Sequence, residues 1–309
     1  MSDAEVSRRR AWLMAARPHT LPAGVSPVVV GVGAAYELGV LAALPALAAL
    51  VGAVLIQLGS NFANDYYDAM KGADTDEREG FTRVTQAGLI EPASVKRAMY
   101  AALAAAMVVG CYLVYVGGLP ILVVGLASVV AAVAYTGGPF PFGYYGLGDL
   151  FVFVFFGVVA VVGTVYVQAA SYAPAFPLTP PPGTLPLAAF VASLGVAAIS
   201  TNILVVNNVR DMETDAKAGK RTLAVRIGYA GSRAQYVALF CLAYAVPVWF
   251  ALVGYGPQAL LPLLSLPLAV SVTRTLLAHD DGEHLDPALT RTGQTLALYS
   301  ACLALGLAL

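Results

Sequence analysis

LGVLAALPALAALVGAVLIQLGSNFANDYYD, residues Leu38–Asp68, is the stretch from which the fold is read. It carries no charge from Leu38 to Asn64 and then ends on Asp65 and Asp68. A membrane-spanning helix needs about 20 apolar residues, so this run is predicted to cross a bilayer and to deliver its acids at the boundary. Further charge-free runs cover Pro18–Tyr36, Ala98–Gly148, Leu150–Val209, Ala234–Thr273 and Thr292–Leu309. The 309-residue chain is 59% hydrophobic and 11% charged, with a mean hydropathy of +0.76. That balance excludes a water-soluble domain with a polar surface.

The three longest runs each hold two spans, divided at Gly117-Gly118 with Pro120, at the proline-rich stretch Tyr172–Pro186, and at Gly254–Pro257. The expectation is an all-α, integral-membrane, nine-transmembrane-helix bundle forming one domain over 1–309. It has a short N-terminal segment 1–17 and Asp-rich loops 65–97 and 210–233. Threaded in this way, all 17 Lys and Arg fall on one side. The positive-inside rule makes that side, and the N-terminus, cytoplasmic, with the C-terminus outside and the chain in the cell membrane. Ala11–Ala16 is too short an apolar run for a cleavable signal, and Arg17 interrupts it. Cys111, Cys241 and Cys302 have no metal-like spacing and read as small apolar packing residues. Gly157, Gly163, Ala197 and Ala198 are expected to let helices pack closely.

Of the acids, only Glu37 lies away from the cytoplasmic side. Two clusters stand out, each at the end of a long span. One runs Asn61-Phe-Ala-Asn64-Asp65-Tyr-Tyr-Asp68 and on through Lys71, Asp74 and Asp76 to Arg83; the other runs Asn207-Asn208-Val-Arg210-Asp211-Met-Glu213-Thr-Asp215 and on to Lys220 and Arg221. The spacing of Asn207, Asp211 and Asp215 places them on one helix face, and Asn64 and Asp68 repeat its first two steps. Stacked carboxylates at a bilayer edge repel and are costly to desolvate. Mg²⁺ meets that need, because it prefers oxygen ligands and bridges carboxylates to phosphates. Asn64, Asp65, Asp68, Asp74, Asp76, Asn207, Asp211 and Asp215 are the candidate ligands, for two ions. Asn64, Lys71, Arg83, Asn207, Arg210, Lys220 and Arg221 are candidates to hold a diphosphate.

On these residues the chain resembles the membrane-embedded aromatic prenyltransferases, whose pattern places NDxxDxxxD after the second helix and DxxxD after the sixth. Asn64-Asp65-Tyr-Tyr-Asp68 and Asp211-Met-Glu-Thr-Asp215 match, and Gly72 departs where most members carry a further Asp. Asp74 or Asp76 is the natural replacement. The Lys71–Asp76 variant, Arg83-Val-Thr-Gln86-Ala-Gly88, the opening Ala16-Arg17-Pro18-His19-Thr20-Leu21-Pro22-Ala23 and Gly219-Lys220-Arg221-Thr222 are similar to the 1,4-dihydroxy-2-naphthoate polyprenyltransferases. The resemblance implies transfer of a polyprenyl group from polyprenyl diphosphate to 1,4-dihydroxy-2-naphthoate, with loss of CO₂ and diphosphate, giving demethylmenaquinone.

The residues agree with that chemistry. An allylic C–O bond breaks when its leaving diphosphate is stabilised, and the cation left behind needs a dry site with aromatic faces. Tyr67, Tyr135 and Phe140 are candidates for a prenyl or aromatic pocket. Asp68, Asp211 and Asp215, together with Asp149, which interrupts a long uncharged stretch, are the candidate catalytic acids. His279-Asp280-Asp281-Gly-Glu283-His284-Leu-Asp286 is read as a solvated loop, and His19 as part of the opening motif without a catalytic role. The alternatives are another aromatic acceptor (hydroxybenzoate, homogentisate or a tetrapyrrole) or a secondary transporter, which the one-sided acids disfavour. The DG-x₂-AR signature of phosphatidyl-alcohol transfer is absent. Lipid is the expected surroundings, no nucleic-acid partner is expected, and the oligomeric state is left open.

Overall fold

A computed structural model of the chain describes residues 6–72 and 83–309, so Asp74 and Asp76 lie outside the described residues. Those residues form helices and turns, with no strand among them. The elements are α1 (Arg8–Ala16), α2 (Leu21–Glu37), α3 (Ala43–Met70), α4 (Pro92–Ala134), α5 (Gly148–Val152), α6 (Ala160–Ala170), α7 (Leu187–Arg210), α8 (Met212–Lys217), α9 (Leu223–Phe250), α10 (Leu266–Ala278) and α11 (Gly282–Ala308). A π-helical turn joins α5 to α6, and a 3₁₀ segment, Pro257–Ser265, leads into α10. Among the described residues, six helices are long and apolar enough to cross a membrane: Ala43–Met70, Pro92–Ala134, Gly148–Ala170, Leu187–Arg210, Leu223–Tyr255 and Pro257–Ala278.

The longest of these doubles back. Gly59 packs against Leu103, and Gly137, just beyond the end of α4, packs against Tyr67. The two contacts lie two turns apart on α3, whereas a straight helix from Leu103 to Gly137 would separate them by about 50 Å. The reversal falls at Gly118, whose φ of 65° and ψ of −151° leave the helical region. A side chain there would strain the backbone and run into Pro177, whose carbonyl accepts from Leu119 N at 3.0 Å.

Lipid tails are as apolar as leucine, so helices associate through close packing rather than through water exclusion. Helix α7 is the centre: 78% of its apolar window is buried, against 28% for α3 and for α9. Its Ala197 sits where a Gly157 side chain would be, and its Gly195 gives the same room to Tyr299 of α11. Of the cysteines, Cys302 is buried, whereas Cys111 and Cys241 are exposed rather than packed in the core.

The two ends of the bundle differ in chemistry. At one, Tyr172 OH donates to Leu41 O at 2.8 Å and Gln168 Oε1 accepts from Ala42 N at 3.3 Å, in a setting almost without charge. At the other, the ends of α3 and α7, the start of α11 and the 135–147 loop converge with nearly all the ionisable groups.

Candidate active site

Asp68 lies in the last turn of α3, where Tyr144 of the 135–147 loop donates its hydroxyl to Asp68 Oδ1 at 2.5 Å. The other carboxylate oxygen has Arg83 and Lys220 each at 3.6 Å. Lys220 is also 3.7 Å from Asp215 Oδ1, so one ammonium bridges the first Asp cluster to the second. It stands 4.9 Å above the centre of the Tyr144 ring, as does Lys71, and both gain from the negative face of the phenol. Arg221 N fixes the Tyr144 carbonyl at 2.8 Å, which ties this loop to the second cluster.

Helix α7 ends at Arg210, Asp211 forms the turn, and Asp215 lies in α8. The backbone hydrogen bonds Asp211 N to Asn207 O (3.0 Å) and Asp215 N to Asp211 O (2.8 Å) carry the i, i+4 spacing through this turn. Asn207, Asp211 and Asp215 line one cavity of about 210 Å³ together with Asn64, Asp68, Arg83 and Lys220. Arg17, His19 and Tyr135 line it too. Two buried atoms on its wall, Gln57 Oε1 and Ser200 Oγ, have no hydrogen-bond partner.

Several sequence-predicted residues stand elsewhere. Asp65 is buried outside this cavity, accepting from Thr85 N at 3.2 Å and Thr85 Oγ1 at 2.5 Å, with Arg17 at 4.0 Å; it anchors the segment after Arg83. Arg210 lines the cavity, but its guanidinium is committed to neighbours. It donates to Asp211 at 2.7 and 2.9 Å, to Asp286 at 2.7 Å and to Asn207 at 2.8 Å. Lys71 donates to the Thr136 carbonyl beside the cavity, and burial lowers its pKa although Asp68 opposes the shift. Arg221 is exposed and its side chain does not line the cavity. Phe140 is exposed and stacked on Tyr145, and Tyr67 packs edge-on to Tyr66; neither reaches the site.

Asp149 is buried just behind the cavity wall, with Oδ1 accepting from Gln235 at 2.9 Å and Oδ2 unpaired. Tyr135 lines the cavity. Burial raises its pKa, and Asp149, Asp215 and Asp68 reinforce the shift, so the phenol stays protonated. Tyr144 and Thr136, whose hydroxyl donates to Asn64 Oδ1 at 3.0 Å, were missed. Both lie in an irregular loop where no periodicity marks them. The 279–286 stretch is not a loop throughout, since α11 begins at Gly282 and Asp286 pairs with Arg210; His279, Asp281 and His284 come together with ligand atoms within 4.8 Å, the first two partly buried and His284 exposed, but they line neither this cavity nor its neighbour.

His19 has its pKa pushed down to about 4, first by burial and then by the Arg17 and Arg210 charges. The unfolded chain takes up this proton below about 6.5. Stability from a neutral His19 is therefore complete above pH 6.5 and is lost as pH falls towards 4. His19→Gln is expected to flatten that part of the acid-side fall in thermal midpoint; an unchanged slope would mean that His19 stays solvated.

A second cavity of about 460 Å³, almost wholly apolar, lies between α3, both limbs of α4 and α6. Ala23, Ser60, Tyr135, Val152 and Phe156 line both cavities, so the charged and apolar spaces adjoin. The model of the UbiA prenyltransferase family matches residues 24–307, which include both Asp clusters and the lining of both cavities except Ala23, Arg17, His19 and Thr20.

The chain belongs to the UbiA prenyltransferase family.

It is 38% identical over 297 residues to a 1,4-dihydroxy-2-naphthoate octaprenyltransferase of Mycobacterium tuberculosis, covering 96% of each chain. Among solved structures, the apo form of a UbiA homolog from Aeropyrum pernix K1 superposes with a TM-score of 0.70 at 14% identity, covering 92% of this chain and 96% of that one. A UbiA homolog from Archaeoglobus fulgidus bound to DMAPP and Mg²⁺ gives a TM-score of 0.59 at 15% identity, covering 94% and 98%. These structures speak for the fold of this UbiA-family protein.

Proposed function

We propose that this UbiA-family chain transfers a polyprenyl group from polyprenyl diphosphate to 1,4-dihydroxy-2-naphthoate. The observation that carries the reading is the adjacency of two chambers. Asp68, Asp211, Asp215, Arg83 and Lys220 line one, and the other is apolar and large enough for an isoprenoid chain. The substrate named for the tuberculosis relative supplies the acceptor.

The donor set fits Mg²⁺. Asp68, Asp211, Asp215, Asn64 and Asn207 present only oxygen acceptors or amides to one cavity, and Asp68 Oδ2 has two cations at 3.6 Å but no hydrogen bond among the described residues. The Archaeoglobus homolog bound to DMAPP and Mg²⁺ supports the same choice. Two Mg²⁺ ions held by these residues would screen the diphosphate and ease its departure. Lys220 and Arg83 are placed to take the remaining phosphate oxygens, and Tyr144 fixes the direction of the Asp68 carboxylate. As the allylic C–O bond breaks, the prenyl carbon bonds to the ring carbon bearing the carboxylate. The ring then releases CO₂ and regains aromaticity, giving the hydroquinone form of demethylmenaquinone. Tyr135, at the junction of the chambers, presents a neutral phenol beside the reacting carbon, and Asp149 behind it acts through Tyr135 as a positioning residue. Asp74 or Asp76 replaces the carboxylate that Gly72 lacks.

The proposed topology has nine spans: the six long apolar helices, with α4 counted twice, plus α2 and α11. The site faces the cytoplasm from the plasma membrane, because all 17 Lys and Arg belong to segments on that side. The decisive assay offers detergent-solubilised protein 1,4-dihydroxy-2-naphthoate and a polyprenyl diphosphate, with Mg²⁺ or with EDTA, and weighs the product. The expected product is a prenyl naphthoquinone, lighter by CO₂ than simple addition would give and absent with EDTA. Product only with hydroxybenzoate or another acceptor would leave the chemistry and overturn the acceptor.

A further inference from the structure

Four glycines on the wall of the apolar chamber have no packing partner. Gly52 of α3, Gly110 and Gly125 of the two limbs of α4, and Gly163 of α6 all line it. A Cβ built on Gly110, Gly125 or Gly163 would meet nothing within 4 Å, and one on Gly52 would meet only Val109, at 4.0 Å. Other helical glycines of the bundle behave differently: Gly59 is filled by Leu103, Gly157 by Ala197 and Gly195 by Tyr299. None of the four has the positive φ that would require glycine. A glycine inside a helix destabilises it relative to alanine, and close packing is its usual compensation in a membrane. Here that compensation is missing on four segments that surround a single space, so the feature to be explained is the space itself.

The chamber begins at Tyr135, beside the carboxylates, and runs outward to Met107 and Leu126, both about half exposed on the lipid side. An isoprenoid tail attached to a diphosphate in the polar chamber has this way out towards the bilayer. We infer that Gly52, Gly110, Gly125 and Gly163 set the bore of the chamber and thereby determine which donor chain lengths the enzyme accepts. The inference rests on the proposed donor. Leucine at any of these positions would fill the channel beyond the first isoprene units and leave the diphosphate and reacting carbon undisturbed.

The test replaces Gly110, Gly125 and Gly163 singly by leucine and compares geranyl with octaprenyl diphosphate at fixed acceptor. A few methylenes of lost room correspond to discrimination of about 10–200-fold. Octaprenyl kcat/KM is therefore expected to fall by at least about tenfold, mainly through KM, while the geranyl value stays near wild type. An equal fall for both donors, or an unchanged ratio, overturns the inference. If the leucine variants cannot be purified, the triple variant Gly110→Ala/Gly125→Ala/Gly163→Ala keeps the question open to measurement. It is expected to be at least as heat-stable as wild type and to shift the ratio the same way by less; no shift overturns the inference. Wild-type protein that prenylates with neither donor would sink the donor reading instead, before any variant is compared.

Discussion

Asp68→Ala, Asp211→Ala and Asp215→Ala are each expected to lower prenyl transfer by at least about 10²–10³-fold, the loss seen when one preorganised electrostatic stabiliser of a transition state is removed. The three carboxylates come from α3, the turn after α7, and α8, yet they share one small cavity with the same lysine between two of them. Removing Asp68 or Asp215 takes a counter-charge from Lys220, removing Asp211 takes one from Arg210, and none of the three changes restores a metal ligand. The diphosphate would still bind, but its departure would lose the charge balance that lowers the barrier. Single-turnover rates with saturating donor separate these effects for Asp68→Ala and Asp215→Ala, since kcat should collapse while detergent size-exclusion profiles stay monodisperse; Asp211→Ala also strands the buried Arg210 and should lose stability as well. Asp65→Ala is the contrast. Asp65 is as buried as the others but spends its oxygens on Thr85, so its loss is expected to lower thermal stability rather than to act selectively on kcat. Near-normal turnover in all three cavity variants would remove the metal-assisted mechanism.

What the sequence made legible follows from which interactions are local. Uncharged runs bounded by charge are one-dimensional signals, so the chain breaks at Gly118, in 171–186 and at Gly254–Gly256 could be read without a structure. The acid clusters were legible because each closes a span. The full set of Arg210 partners was not legible, because Asp211 and Asn207 are its sequence neighbours but Asp286 lies 76 residues away. Tyr144 was missed because a tyrosine in an irregular loop looks the same whether it faces lipid headgroups or a carboxylate. Gly163 shows the same limit in its clearest form. Sequence gives its missing side chain but not what occupies the gap, and the expected close packing turns out to be an open wall of the chamber. Gly157 and Ala197, read by the same rule, do pack against each other.

Arg210→Met is the variant expected to unfold the site. Arg210 and Asp211 side chains are each 2% exposed, and the guanidinium makes four hydrogen bonds, two of them to Asp211. Methionine keeps much of the volume and none of the charge, so Asp211 would be left buried at the end of α7 without its main cation. Breaking one side of a buried pair costs about 3–5 kcal/mol, chiefly for the stranded charge. Asp286, whose side chain is 31% exposed, can turn to solvent, so Asp286→Asn should be far milder. The same link holds the start of α11 against the end of α7, so Arg210→Met should also loosen the cavity wall. Thermal midpoints in detergent, read by loss of the monodisperse peak, should fall steeply for Arg210→Met and little for Asp286→Asn. Inorganic pyrophosphate, as a competitive inhibitor, distinguishes this clamp from a direct phosphate ligand. Wild-type thermal stability combined with a much weakened pyrophosphate inhibition would return Arg210 to the diphosphate-binding set that its sequence position first implied.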